Sequence, residues 1–163
     1  MNKKSVICAL LTISALAFSL PAIAADTPGS NPSASSAPSV ADRMATARKA
    51  IEAKDWRKAQ SELNAAVKDD PRSADAHNLL AYSYRKASNP NVAKAFEHYN
   101  IALKLDPKHQ GAHAYIGEAY LMDKKPAEAE KHLAQLESIC GNKTCEAYVE
   151  LAQSMAEYKK RNP

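Results

Sequence analysis

Apolar and polar positions follow a helical period along most of this chain, and in its middle the same pattern occurs twice. His77, Leu80, Ala81 and Tyr84 return as His113, Ile116, Gly117 and Tyr120, each 36 residues on. Ala95, Tyr99 and Ala102 return as Ala129, Leu133 and Leu136, each 34 residues on. A period in the thirties with two helical patterns per unit predicts stacked helix pairs. One pair cannot bury its apolar face alone, so each unit requires a neighbour. A degraded copy lies upstream: Ala47 is in register with Ala81, and Ala59, Leu63 and Ala66 with Ala95, Tyr99 and Ala102. Asp70-Pro71 closes that copy as Asp106-Pro107 closes the next.

The pattern therefore predicts three units, over about residues 40–72, 73–107 and 108–139. Small residues at Ala81, Ala95 and Gly117 are expected to let the two helices of a unit approach closely. Leu80, Tyr84, Tyr99, Ile116 and Tyr120 are expected to fill the remaining space, each worth about 1.5–3 kcal/mol on burial. Ser73 reads as a helix N-cap. Asn89 reads as an N-cap with Pro90 at the first helical position, which would start the second helix of the middle unit early. Pro126 takes the same role in the third unit, and Gly141 suits a left-handed stop. A seventh helix is expected from about Cys145 to Arg161, with Tyr148, Leu151, Ala152 and Met155 on one face. Its acids crowd the start and its bases the end, as the helix dipole favours. Segment 140–163 is thus a capping helix and tail.

The run Leu80-Ala81-x-x-Tyr84, then Ala95, Tyr99, Ala102 and Pro107, resembles the tetratricopeptide repeat. The third copy matches with Ile116, Gly117, Tyr120, Ala129, Leu133 and Leu136 but lacks the closing proline, and the first has Thr46 and Ala50 where leucine and tyrosine are usual. The resemblance implies an all-α, right-handed solenoid whose first helices line a concave groove. It places groove contacts at Met44, Arg48, Asn78, Tyr82, Arg85, Ala114, Glu118 and Leu121. The Lys/Asn set with which some members of the family clamp a peptide carboxylate is not evident. Tyr82 and Arg85 are residue types enriched in binding hot spots. They stand about one turn apart on one helix face.

The N-terminus changes the setting. Lys3 and Lys4, the apolar run from Val6 to Leu20, and Ala22-Ile23-Ala24 read as a signal peptide over residues 1–24, cleaved after about Ala24. The apolar run is too short to span a bilayer. Cys8 precedes most of that run, which argues against lipid attachment. Residues 25–39 are rich in Pro, Ser and Ala with no large apolar side chain, and read as a disordered linker. The expected location is the periplasm or the exterior of the cell. The formal charge is +4, or +2 once Lys3 and Lys4 leave with the signal peptide. That balance predicts no nucleic-acid partner.

Two groups of side chains invite a chemical reading. Cys140 and Cys145 are the only cysteines beyond the leader, and in an exported chain they read as a disulfide pinning the cap. Four intervening residues depart from the C-x-x-C redox spacing. His77 pairs with His113, and His98 with His132, by repeat position, while His109 and His113 stand at a spacing that can place two imidazoles on one metal. Repetition alone accounts for these histidines, and no metal or other cofactor is expected. There is no phosphate loop, G-x-S-x-G or H-E-x-x-H motif, so no enzyme is expected. The resulting expectation is an exported adaptor that binds a peptide segment or helix of another envelope protein. The alternatives are a structural subunit of an outer-membrane, secretion or pilus assembly, and a redox or metal-handling module using the two cysteines.

Overall fold

A computed structural model describes residues 37–163. The predicted signal peptide and most of the predicted linker lie outside the described residues. Seven helices follow one another, with no strand among the described residues: α1 (Val40–Glu52), α2 (Trp56–Asp69), α3 (Ala74–Lys86), α4 (Val92–Leu105), α5 (Gln110–Met122), α6 (Pro126–Cys140) and α7 (Glu146–Arg161). Helices α1/α2, α3/α4 and α5/α6 form hairpins, and α2/α3 and α4/α5 join one hairpin to the next.

Local chemistry sets the boundaries. Ser39 and Asp42 form a reciprocal capping box at α1. Asp55, Ser73 and Asn91 cap α2, α3 and α4 through their side-chain oxygens, and His109 caps α5 through Nδ1. Pro126 opens α6 and Gly141, at φ 68°, ends it. The middle hairpin differs from expectation. Asn91, not Asn89, is the cap of α4, and Pro90 lies outside the helix. The extra residues of this unit therefore lengthen the 87–91 loop instead of starting α4 early. The Asn91 N–H donates to Tyr84 O at 3.0 Å, as the Lys125 N–H does to Tyr120 O in the shorter third hairpin. The shorter turns need a left-handed residue, and Lys54 (φ 57°) and Lys124 (φ 58°) take that conformation.

The junctions between hairpins are built twice from the same parts. Asp70 accepts from the Arg72 N–H and Asp106 from the Lys108 N–H, closing both Asp-Pro turns. The Nε2 of His77 lies 3.2 Å from Pro71 O, and that of His113 lies 3.0 Å from Pro107 O. A carbonyl only accepts, so both Nε2 atoms carry a proton, and in the neutral rings both Nδ1 atoms are lone pairs. In that tautomer the lone pairs face the Nδ1 atoms of His98 (3.0 Å) and His132 (2.9 Å), which then donate. Tyr84 stacks on His98 and Tyr120 on His132. The repeated histidines thus tie each turn to the hairpin that follows it. His109 does not join His113 on a common site: its Nδ1 caps α5 and its Nε2 meets Asp75 at 3.1 Å.

The core runs the length of the stack. Ala47, Ala59, Leu63 and Leu80 bury together, then Ala81, Ala95, Tyr99, Ile116 and Ala119, then Ala129, Leu136, Leu151 and Met155. One expectation needs correction here. The tightest approach at Gly117 is to α7, not to α6. A Cβ at that position would lie 2.6 and 2.8 Å from the two methyls of Leu151, so the glycine admits α7. The last helix packs more on α5 than on α6, whereas α3 packs on α2 and α5 on α4. It leans over the face of the first helices. Cys140 and Cys145 are bonded and join α6 to α7. Among the described residues no helix is long and apolar enough to cross a membrane.

Candidate functional site: the face shared by α3, α5 and α7

The predicted groove residues separate into three groups. Tyr82 and Glu118 are partly exposed on this face, Arg48 is exposed on α1, and Met44 is half-buried against the first core cluster. Ala114 and Leu121 are buried, because α7 covers that part of α5 and they share a cluster with Leu151 and Met155. Ala114 is left with no exposed surface, whereas Leu121 keeps an edge on a recess at the C-terminal ends of the helices. Asn78 and Arg85 are each only 5% exposed. Repeat register put all eight positions on one helix face, but it carried no information on what α7 would cover.

Arg85 is a structural centre. Its Nη1 meets a Glu118 carboxylate oxygen at 2.6 Å and its Nε donates to the Tyr99 hydroxyl at 3.3 Å, so one side chain links α3, α4 and α5. Its guanidinium carbon lies 5.3 Å from the Tyr82 ring centre and 5.6 Å from that of Tyr115. Glu118 is completed by the Ser154 hydroxyl of α7 at 2.9 Å. Burial holds the Tyr82 and Tyr115 phenols above their ordinary range, Tyr115 at about 12. Both remain neutral O–H groups at physiological pH.

The accessible part of the face is aromatic. Trp56, Tyr82 and Tyr115 come from three successive hairpins and form a stripe, with ring centres 6.2 and 4.8 Å apart. Trp56 and Tyr115 are not among the groove positions that the repeat register gives. Two recesses flank the stripe. One of about 260 Å³ lies at the C-terminal ends of the helices, where the predicted Arg85, Glu118 and Leu121 meet Lys86, Tyr158 and Arg161. Another of about 240 Å³ lies at their N-terminal ends, beside Tyr115, Glu146 and Glu150. A larger cleft, about 540 Å³, begins at Trp56 and runs along the hairpin turns past Gln60 and Tyr84 to Asn91. Among the described residues no group of three or more His, Cys, Asp or Glu side chains is placed to hold a metal ion.

Stacked helical hairpins of this kind define a helical-repeat protein. A family model of the tetratricopeptide repeat matches residues 44–108 and 89–142, and the chain belongs to that family. Among solved structures it is similar to the Yersinia enterocolitica type III secretion translocator chaperone SycD. That match has a TM-score of 0.65 and 18% identity, and covers 76% of this chain and 95% of that one. It is also similar to a chain of a CopN–Scc3 complex, with a TM-score of 0.58 and 19% identity, covering 72% of this chain and 67% of that one. At these identities the likeness is one of fold. No curated protein matches the sequence.

Proposed function

We propose that this protein is an exported adaptor that binds a segment of another envelope protein along the α3–α5 face, without chemistry of its own. The Trp56–Tyr82–Tyr115 stripe carries the reading. Rigid aromatic rings left half-exposed on three consecutive hairpins supply contact area at low entropic cost, as binding hot spots do. The family and the secretion chaperone of similar fold support the same reading, and the leader-like N-terminus supports the envelope as the setting. The face left open beside α7 is short, so affinity in the micromolar range is expected.

The test is crosslinking in the native envelope followed by partner identification, with Tyr82→Ala and Arg48→Ala as the controls. Arg85 is unsuitable as a control. Removing a buried cation strands Glu118 and costs about 3–5 kcal/mol of stability, which would mimic a binding defect. Recovery of the same partner in the same yield from the Tyr82→Ala chain would remove this face from the account.

A further inference from the structure

Outside the aromatic stripe, the four repeated histidines form two pairs within the hairpins. His77 of α3 faces His98 of α4, Nδ1 to Nδ1 at 3.0 Å, and His113 of α5 faces His132 of α6 at 2.9 Å. The ring centres of each pair lie 5.2 Å apart. With the facing nitrogens so close, two imidazole centres can scarcely be further apart. The rings of each pair therefore stand end to end, and the axes of the two Nδ1 atoms run along one line. Repetition accounts for the recurrence of the histidines but not for what lies on that line. An N–H···N bond and a linear nitrogen–metal–nitrogen unit need the same alignment and differ in length.

Two further features suit the pairs to an ion. Pro71 O and Pro107 O hold the Nε2–H groups of His77 and His113 at 3.2 and 3.0 Å, which presents Nδ1 as the lone pair; a histidine ligand typically donates its second N–H to a carbonyl in this way. His77 and His113 are also each 6% exposed and fixed in place, whereas His98 and His132 are partly exposed and stacked on Tyr84 and Tyr120. The outer ring of each pair can slide along its tyrosine. An imidazole nitrogen binds a metal at about 2 Å, so a linear unit asks for about 4 Å between the nitrogens, an opening of about 1 Å. Among the described residues no third His, Cys, Asp or Glu joins either pair. Zinc and the divalent ions of copper and nickel take four or more ligands, so two nitrogens serve them poorly. A monovalent d10 ion takes two nitrogens in line.

We infer that each histidine pair is a two-coordinate site for a soft monovalent cation of the Cu(I)/Ag(I) class, one in the middle hairpin and one in the third. The ion takes the place of the shared proton. The Nδ1–H bond of His98 or His132 breaks, both Nδ1 atoms bind the ion, and the proton returns at Nε2 of the same ring, which has no partner among the described residues. Both rings stay neutral and no electron moves. The site does not depend on the peptide-binding reading above.

Silver(I), which stays monovalent in air, is the probe. It is titrated into the full chain with Cys140 and Cys145 bonded, and histidine-ring nitrogen NMR spectra follow it. Cys8 and the methionines can also take silver, and the ring resonances separate that uptake from the pairs. The Nδ1 resonances of His77, His98, His113 and His132 should move, while that of His109, committed to the α5 cap, stays in place. His98→Asn should abolish the response of His77 and leave that of His113 and His132, and His132→Asn should do the converse. The untouched pair in each variant shows that the chain is folded. Loading should raise the melting temperature of the wild-type chain more than that of His98→Asn/His132→Asn. A His77 response that survives His98→Asn, or silver uptake with every ring resonance in place, would overturn the site. An equal response to Zn(II) would overturn the two-coordinate assignment.

Discussion

The contact between Gly117 and Leu151 fixes where α7 sits, and a double-mutant cycle reads it directly. In Gly117→Ala the new methyl would meet the Leu151 methyls at 2.6 and 2.8 Å and its Cγ at 3.3 Å. Leu151 is fully buried among Ala114, Leu121, Leu136 and Met155, so it has little room to move aside. Overpacking of this kind costs about 1–3 kcal/mol. Against it stands the helix propensity of alanine over glycine, about 1 kcal/mol in favour of the variant. The net effect is a loss of about 0–2 kcal/mol. Leu151→Ala alone removes a fully buried leucine and should cost about 2–5 kcal/mol.

The decisive quantity is the coupling. With Leu151 truncated, the Gly117→Ala methyl meets no obstacle and partly fills the vacated space. Gly117→Ala should therefore change sign and stabilise the Leu151→Ala chain by about 1 kcal/mol. The resulting coupling of about 1–3 kcal/mol falls within the range for residues in direct contact. Urea denaturation of all four chains, followed by circular dichroism, measures it. Repeat arrays need not unfold in one step, so amide exchange within α7 should accompany the melts. Equal destabilisation by Gly117→Ala in both backgrounds would refute the packing of α7 onto α5, and with it the burial of Ala114 and Leu121.

Two further predictions concern the joints. Burial and the facing His113 lower the His132 pKa to about 4, and burial with His77 lowers that of His98. Below 6.5 the unfolded chain then binds more protons than the folded one. The histidine contribution is whole above that pH and drains as pH falls toward 4. Discounted for the partial exposure of His132, the loss is about 1–2 kcal/mol. It should appear as an acid slope in the denaturation midpoint that a His98→Asn/His132→Asn chain lacks; an identical slope would refute it. The Cys140–Cys145 bond closes a short loop, and its loss should cost about 2 kcal/mol. In Cys140→Ser/Cys145→Ser, amide exchange should speed up in α7 and remain unchanged in α1–α4, and uniform acceleration would show that the bond acts on more than the cap.

The repeat period made the stack of hairpins legible because it states a packing requirement three times over. Ala81, Ala95, Tyr99 and Ile116 recur at buried positions since each unit solves the same geometric problem, and Ser73, Pro126 and Gly141 mark helix ends by local chemistry alone. Asn89 misled because Asn-Pro reads as a helix start, while the longer loop moved the capping role to the second asparagine, Asn91. The site was less legible for a deeper reason. Repetition says which positions face the same way, but α7 has no counterpart to be read against, and the face it covers is decided by Gly117 and Leu151 meeting across 34 residues of sequence. Without that contact Ala114 looks as available as Tyr82. With it, the face that stays open is the aromatic stripe and the recesses at either end of it, each of which the same covering helix also lines.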